Sequence, residues 1–132
     1  NDAGKVTAGS NIAILGVAYK NDVDDSRLSP AEPLIHLLAE MGSNVTVYDP
    51  FCDETFGAKK ANSLFDAISK ADCLVTITDH SEFLKLDLQK VKAQMNLKPA
   101  IVDGRRIIDP IEAKKTGFIY YGLGVAESKN YL

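Results

Sequence analysis

Ile12-Ala13-Ile14-Leu15-Gly16-Val17 is a continuous apolar run, opened by Asn11 and followed shortly by Lys20. Successive side chains of a strand point to opposite faces. A run that is apolar at every position therefore reads as a strand buried on both faces, as in a parallel sheet covered by helices. A helix and a second strand come next. Ser29-Pro30-Ala31-Glu32 has a capping serine, a proline at the first helical position and a glutamate placed for a capping box. Leu34, Leu37, Leu38 and Met41 then recur at helical spacing, and Gly42 supplies the stop. Asn44-Val45-Thr46-Val47-Tyr48 is the second strand, closed by Asp49-Pro50.

The same alternation continues to the end. Ser63 opens a helix with Leu64, Phe65 and Ile68 on one face, and Cys73 to Thr78 is a third strand. Phe83 to Met95 holds a third helix with Leu86, Leu88, Val91 and Met95. Ala100-Ile101-Val102 is a fourth strand, Asp109-Pro110 starts a short helix, and Phe118 to Tyr121 is a fifth strand. Strands alternating with helices specify a three-layer α/β/α, doubly wound parallel sheet of Rossmann-like type with about five strands. The strand order is expected to be 2-1-3-4-5, with 3-2-1-4-5 the alternative if the loop before Ser63 hides a short strand. Residues 1–10 read as a linker or boundary segment, and residues 11–132 as one domain.

Composition narrows the function classes. The 132 residues are 45% hydrophobic and 25% charged, with a net charge of −3. That is ordinary globular composition without the basic surface of a nucleic-acid binder. No apolar run approaches the ~20 residues of a membrane-spanning helix. Cys52 and Cys73 form no CxxC pair and are not spaced as zinc ligands with His36 and His80. They read as reduced, buried or inert thiols in a cytoplasmic protein.

In open α/β sheets ligands bind beyond the carboxyl ends of the strands, at the switch in strand order. The residues there are Tyr19-Lys20, Asp79-His80 and Asp103-Gly104-Arg105. Gly16-Val17-Ala18 lacks the second glycine of a dinucleotide fingerprint, and the first helix starts too late for one. Lys20 reads as a phosphate ligand or as a solvated lysine. Arg105, beyond the tight turn that Gly104 permits, reads as a planar donor fork for a diphosphate or as one of two exposed arginines in a surface turn. Asp24-Asp25 with Arg27 reads as a salt-bridged loop ahead of a metal site. His80 reads as a loop hydrogen-bond partner ahead of a general base.

Taken in order, these pieces resemble the C-terminal, UDP-binding domain of the UDP-glucose/GDP-mannose dehydrogenase family. The resemblance rests on Gly16-Val17-Ala18-Tyr19-Lys20, Asp24-Asp25-Ser26-Arg27-Leu28-Ser29-Pro30-Ala31 and Val47-Tyr48-Asp49-Pro50. It continues through Ala71-Asp72-Cys73-Leu74-Val75 to Asp79-His80-Ser81-Glu82-Phe83, Val102-Asp103-Gly104-Arg105 and Tyr121-Gly122-Leu123-Gly124. Val23 and Leu28 depart from the family's usual Thr and Glu.

The resemblance implies part of an NAD-dependent enzyme of polysaccharide biosynthesis that oxidises the C6 alcohol of a UDP-sugar to a carboxylate. NAD and the catalytic cysteine are then held by N-terminal and central domains outside this chain, in a homodimer or larger assembly, and the fragment alone is inactive. Tyr19, Lys20 and Arg105 are implied to meet the UDP-sugar, with Asp24, Asp25, Arg27, Asp103 and Gly104 shaping the loops. A non-catalytic nucleotide- or phosphate-binding module, or a structural oligomerising α/β domain, is the alternative.

Overall fold

The computed structural model describes residues 8–123. Six strands form one parallel sheet: β1 (Asn11–Leu15), β2 (Asn44–Tyr48), β3 (Lys59–Lys60), β4 (Cys73–Thr76), β5 (Ala100–Asp103) and β6 (Ile119–Gly122). The order is β3-β2-β1-β4-β5-β6. The five foreseen strands stand in the expected order. The loop before Ser63 does hide a short sixth strand, in which Thr46 is in register with Lys59 and Val47 with Lys60. Two lysines on an exposed edge carry no apolar signal, which is why that strand is silent in the sequence; they also discourage edge-to-edge pairing.

Burial on both faces explains the apolar run. Ala13 and Leu15 face one cluster with Leu74, Phe83, Val91, Ile101 and Phe118. Ile14 faces the other, with Ile35, Val47 and Val75. On the first face lie α2 (Leu64–Ile68), α3 (Leu88–Gln94) and α4 (Pro110–Thr116); on the second lies α1 (Ala31–Glu40).

Helix details differ from expectation in four places. The Ser29 hydroxyl does accept from the Ala31 amide at 3.0 Å, but the Ser29 amide donates to the Ser26 carbonyl, so the box with Glu32 is not closed. The apolar face of α1 centres on Ala31 and Ile35, flanked by Leu34 and Leu38, while Leu37 and Met41 are exposed. The third helix divides into a 3-10 turn, Ser81–Lys85, and α3, whose start is capped by the Asp87 carboxylate. Ser63 and Asp109 cap α2 and α4 as their positions predict, although Phe65 of α2 is exposed. Residues 1–7 of the expected boundary segment and residues 124–132 of the expected domain lie outside the described residues. Gly9 and Ser10 are bonded to the turn after α1, through Gly9 N–H to Gly42 O and Asn44 N–H to Ser10 O. Among the described residues no helix is long and apolar enough to cross a membrane.

Candidate functional site at the carboxyl edge of the sheet

All strands run parallel, so the segments leaving β1, β4 and β5 emerge at one edge, and β4 lies between the other two. The segment after β1 is tied down residue by residue. Gly16 has φ +96°, and a Cβ there would meet the Thr78 side chain at 2.5 Å. Glycine is therefore required both for its backbone conformation and for the close approach of the β4 exit. The Gly16 amide donates to Tyr48 O, and the Thr78 hydroxyl donates to Ala18 O at 2.8 Å.

Asp49, at the end of β2, is the hub. Its Oδ2 accepts from the Val17 and Ala18 amides at 2.8 and 3.0 Å and faces His80 Nε2 at 2.8 Å. Its Oδ1 accepts from the Phe51 and Cys52 amides of its own turn. On its other side the His80 ring accepts at Nδ1 from the Asp22 amide, 2.7 Å away. A backbone N–H can only donate and a carboxylate can only accept, so these partners put the ring hydrogen on Nε2. The ring is wholly buried, against Phe51 and Phe83. Asp22 sits at φ +56° and receives two bonds from Ser81, from its amide to Oδ1 and from its hydroxyl to Oδ2 at 2.6 Å. Those two bonds, the side-chain one foremost, hold the Asp22 carboxyl below its usual range.

Between the Ala18 and Asp22 anchors, Tyr19 and Lys20 are exposed to solvent. The Tyr19 amide donates to Asp25 O. Arg27 grips the Asp25 carboxylate through Nε and Nη2, both at 3.0 Å, and this hydrogen-bonded pairing lowers the Asp25 pKa to about 2. Asp24 is exposed, with Asp24 and Ser26 beside the Cys52 thiol, whose pKa burial pushes up.

The turn after β5 is built by Asp103, which is fully buried. Its Oδ1 accepts from the Thr76 hydroxyl at 2.7 Å and the Ile107 amide at 3.1 Å; its Oδ2 accepts from the Ile108 amide at 2.7 Å and the Tyr120 hydroxyl at 3.0 Å. Gly104 donates to Thr76 O, and a Cβ on it would lie 2.5 Å from that carbonyl. The Arg105 Nη2 lies 3.3 Å from Asp79 Oδ1. That oxygen is buried and makes no hydrogen bond, so the contact is an ion pair without hydrogen-bond alignment. Asp79 thus stands beside Arg105 and His80 beside the loop of Lys20.

Sequence reasoning singled out both cationic turns, and the resemblance named Asp103 for the second, but Asp49 was overlooked. Asp49 read only as the end of a strand; its signal is Asp-Pro in a position to form an Asx turn. Thr76, Thr78 and Tyr120 carry no signal of their own.

The residues at the β1 turn do not fit a dinucleotide. In NAD-binding folds the amides of this turn face the pyrophosphate and an acid accepts from the ribose. Here the amides of Val17 and Ala18 are taken by Asp49, and both carboxylate oxygens are already engaged.

Both the sequence and the fold are shared with known proteins. Residues 13–110 match the model of the UDP-glucose/GDP-mannose dehydrogenase family, UDP binding domain. The UDP-glucose 6-dehydrogenase of Rhizobium meliloti (strain 1021) is 39% identical over 92% of this chain and 29% of its own length. The UDP-N-acetyl-D-mannosamine dehydrogenase of Pyrococcus horikoshii is 36% identical over 86% of this chain and 25% of its own. The NDP-N-acetyl-D-galactosaminuronic acid dehydrogenase of Methanosarcina mazei Go1 superposes with a TM-score of 0.83 at 35% identity, over 92% of this chain and 26% of that one. The chain thus spans little more than a quarter of the length of these relatives. With a parallel α/β sheet and a family match over residues 13–110, this chain belongs to the UDP-glucose/GDP-mannose dehydrogenase family, as its UDP binding domain.

Proposed function

We propose that residues 11–132 form the substrate-gripping domain of a cytoplasmic, NAD-dependent UDP-sugar 6-dehydrogenase of polysaccharide biosynthesis, oxidising the C6 alcohol of the sugar to a carboxylate. The reading is carried by one observation: a lysine loop and an arginine turn leave the same sheet edge on either side of the β4 exit. Lys20 and Arg105 hold the diphosphate, Lys20 as a compact point charge and Arg105 as a planar fork. Tyr19 lies along the nucleotide. Asp24, Asp25, Arg27, Asp103 and Gly104 keep the two turns in shape.

The diphosphate is remote from the reacting carbon, so the energy of binding it positions the sugar without entering the chemistry. NAD and the reacting groups belong to the N-terminal and central domains of the longer protein, and the functional unit is a homodimer or larger. The domain alone has no dehydrogenase activity. Calorimetric titration of the full-length protein with UDP tests the reading. Arg105→Ala is expected to weaken UDP by about tenfold or more, as for loss of a charge-assisted pair; unchanged affinity removes Arg105 from the site.

A further inference from the structure

We propose that His80 is a positioning residue for Lys20: together with Ser81 it pins Asp22, the far anchor of the Tyr19-Lys20 segment, and so sets where the lysine ammonium meets a diphosphate. The inference rests on the reading of Lys20 as a diphosphate ligand. The near anchor is built from Asp49 and Thr78, which hold Val17 and Ala18. Only Tyr19, Lys20 and Asn21 lie between it and Asp22. The far anchor consists of three bonds to the β4 exit: the Asp22 amide to His80 Nδ1 at 2.7 Å, and the Ser81 amide and hydroxyl to the Asp22 carboxylate at 2.9 and 2.6 Å.

His80 is itself oriented. Asp49 engages Nε2 at 2.8 Å, which leaves the Nδ1 lone pair facing the loop, and the Phe51 and Phe83 rings pack against the imidazole. The same Asp49 oxygen that holds the near anchor therefore also aims the acceptor for the far one. A segment of three residues fixed at both ends has little freedom to misplace its side chain, and small displacements of a positioned group are costly.

The two ring nitrogens can be separated by substitution. Asparagine can present an acceptor where Nδ1 lies, and glutamine a donor where Nε2 lies. The experiment is calorimetric titration of the full-length protein with UDP, for wild type, Lys20→Ala, His80→Asn, His80→Gln, Ser81→Ala, and Lys20→Ala combined with His80→Gln or with Ser81→Ala. Lys20→Ala and His80→Gln are each expected to weaken UDP about tenfold, Ser81→Ala about threefold, and His80→Asn by less than about threefold. Either double variant should fall well short of the additive loss, because His80 and Ser81 act through the Tyr19-Lys20 segment, whose only charge is the lysine.

Equal losses in His80→Asn and His80→Gln, or additive losses in the double variants, make His80 a packing residue and overturn the proposal while Lys20 keeps its role. Wild-type affinity in Lys20→Ala removes the underlying reading and the proposal with it. Should thermal melts show His80→Gln unfolded, Ser81→Ala decides. A Ser81→Ala loss that shrinks in the Lys20→Ala background supports the proposal, and an undiminished loss there or unchanged affinity in Ser81→Ala overturns it.

Discussion

His80 Nε2 lies 2.8 Å from Asp49 Oδ2, and neither side chain is accessible to solvent. The contact joins the exits of β2 and β4 across β1, the strand between them. Around it the carboxylate also accepts four backbone amides, so one buried group organises two turns. A buried carboxylate is tolerated when its oxygens are satisfied in this way.

Asp49→Asn is expected to destabilise the fold by about 2–4 kcal/mol. An amide offers one oxygen and one NH2, whereas both ends of Asp49 meet donors. At one end a donor then faces donors, and buried amides such as those of Val17 and Ala18 lose their partner. Chemical denaturation of the variant measures the loss. A change below about 0.5 kcal/mol, typical of ordinary surface substitutions, would contradict the role of hub.

Gly104→Ala is expected to cost about 2 kcal/mol, in the range of other overpacked sites, and to lower Tm by roughly 8 °C. The added methyl would lie 2.5 Å from Thr76 O, a strand carbonyl held by the sheet and already accepting from the Gly104 amide. The strand cannot yield without moving Asp103, so the guanidinium of Arg105 shifts as well. A thermal melt within one degree of wild type would show that the turn relaxes freely.

The Asp25 carboxyl titrates near 2 because Arg27 engages it through two nitrogens. Its folded value lies below the ordinary value of 3.8, so the stabilisation is present above that range and fades as pH falls toward 2. Both groups are accessible to water, so the effect on global stability is small and the titration itself is the sensitive measure. In Arg27→Ala the Asp25 value should return toward the ordinary range in a carbon NMR titration. A value still near 2 would assign the shift to another neighbour.

Much of this molecule is legible before it folds. The run from Ile12 to Val17 announces a strand buried on both faces because every position is apolar. Ser63, Asp109-Pro110 and Gly42 announce element ends because capping and left-handed backbone depend on residue type within a few positions. The two cationic turns are visible because strand ends in a parallel sheet share an edge whatever the side chains between them.

What the chain could not disclose is who pairs with whom across it. Leu37 and Met41 have helical spacing equal to that of Leu34 and Leu38, and only the sheet beneath α1 decides which pair is covered. Lys59-Lys60 becomes a strand because β2 offers an unpaired edge, not because two lysines favour one. Asp49, Asp22 and His80 stand far apart in sequence and carry ordinary polar side chains. Local propensity is written into each residue and its neighbours. The buried carboxylate, the oriented imidazole and the pinned lysine loop exist only where the parallel strands bring distant donors and acceptors within hydrogen-bond reach and exclude the water that would otherwise satisfy them.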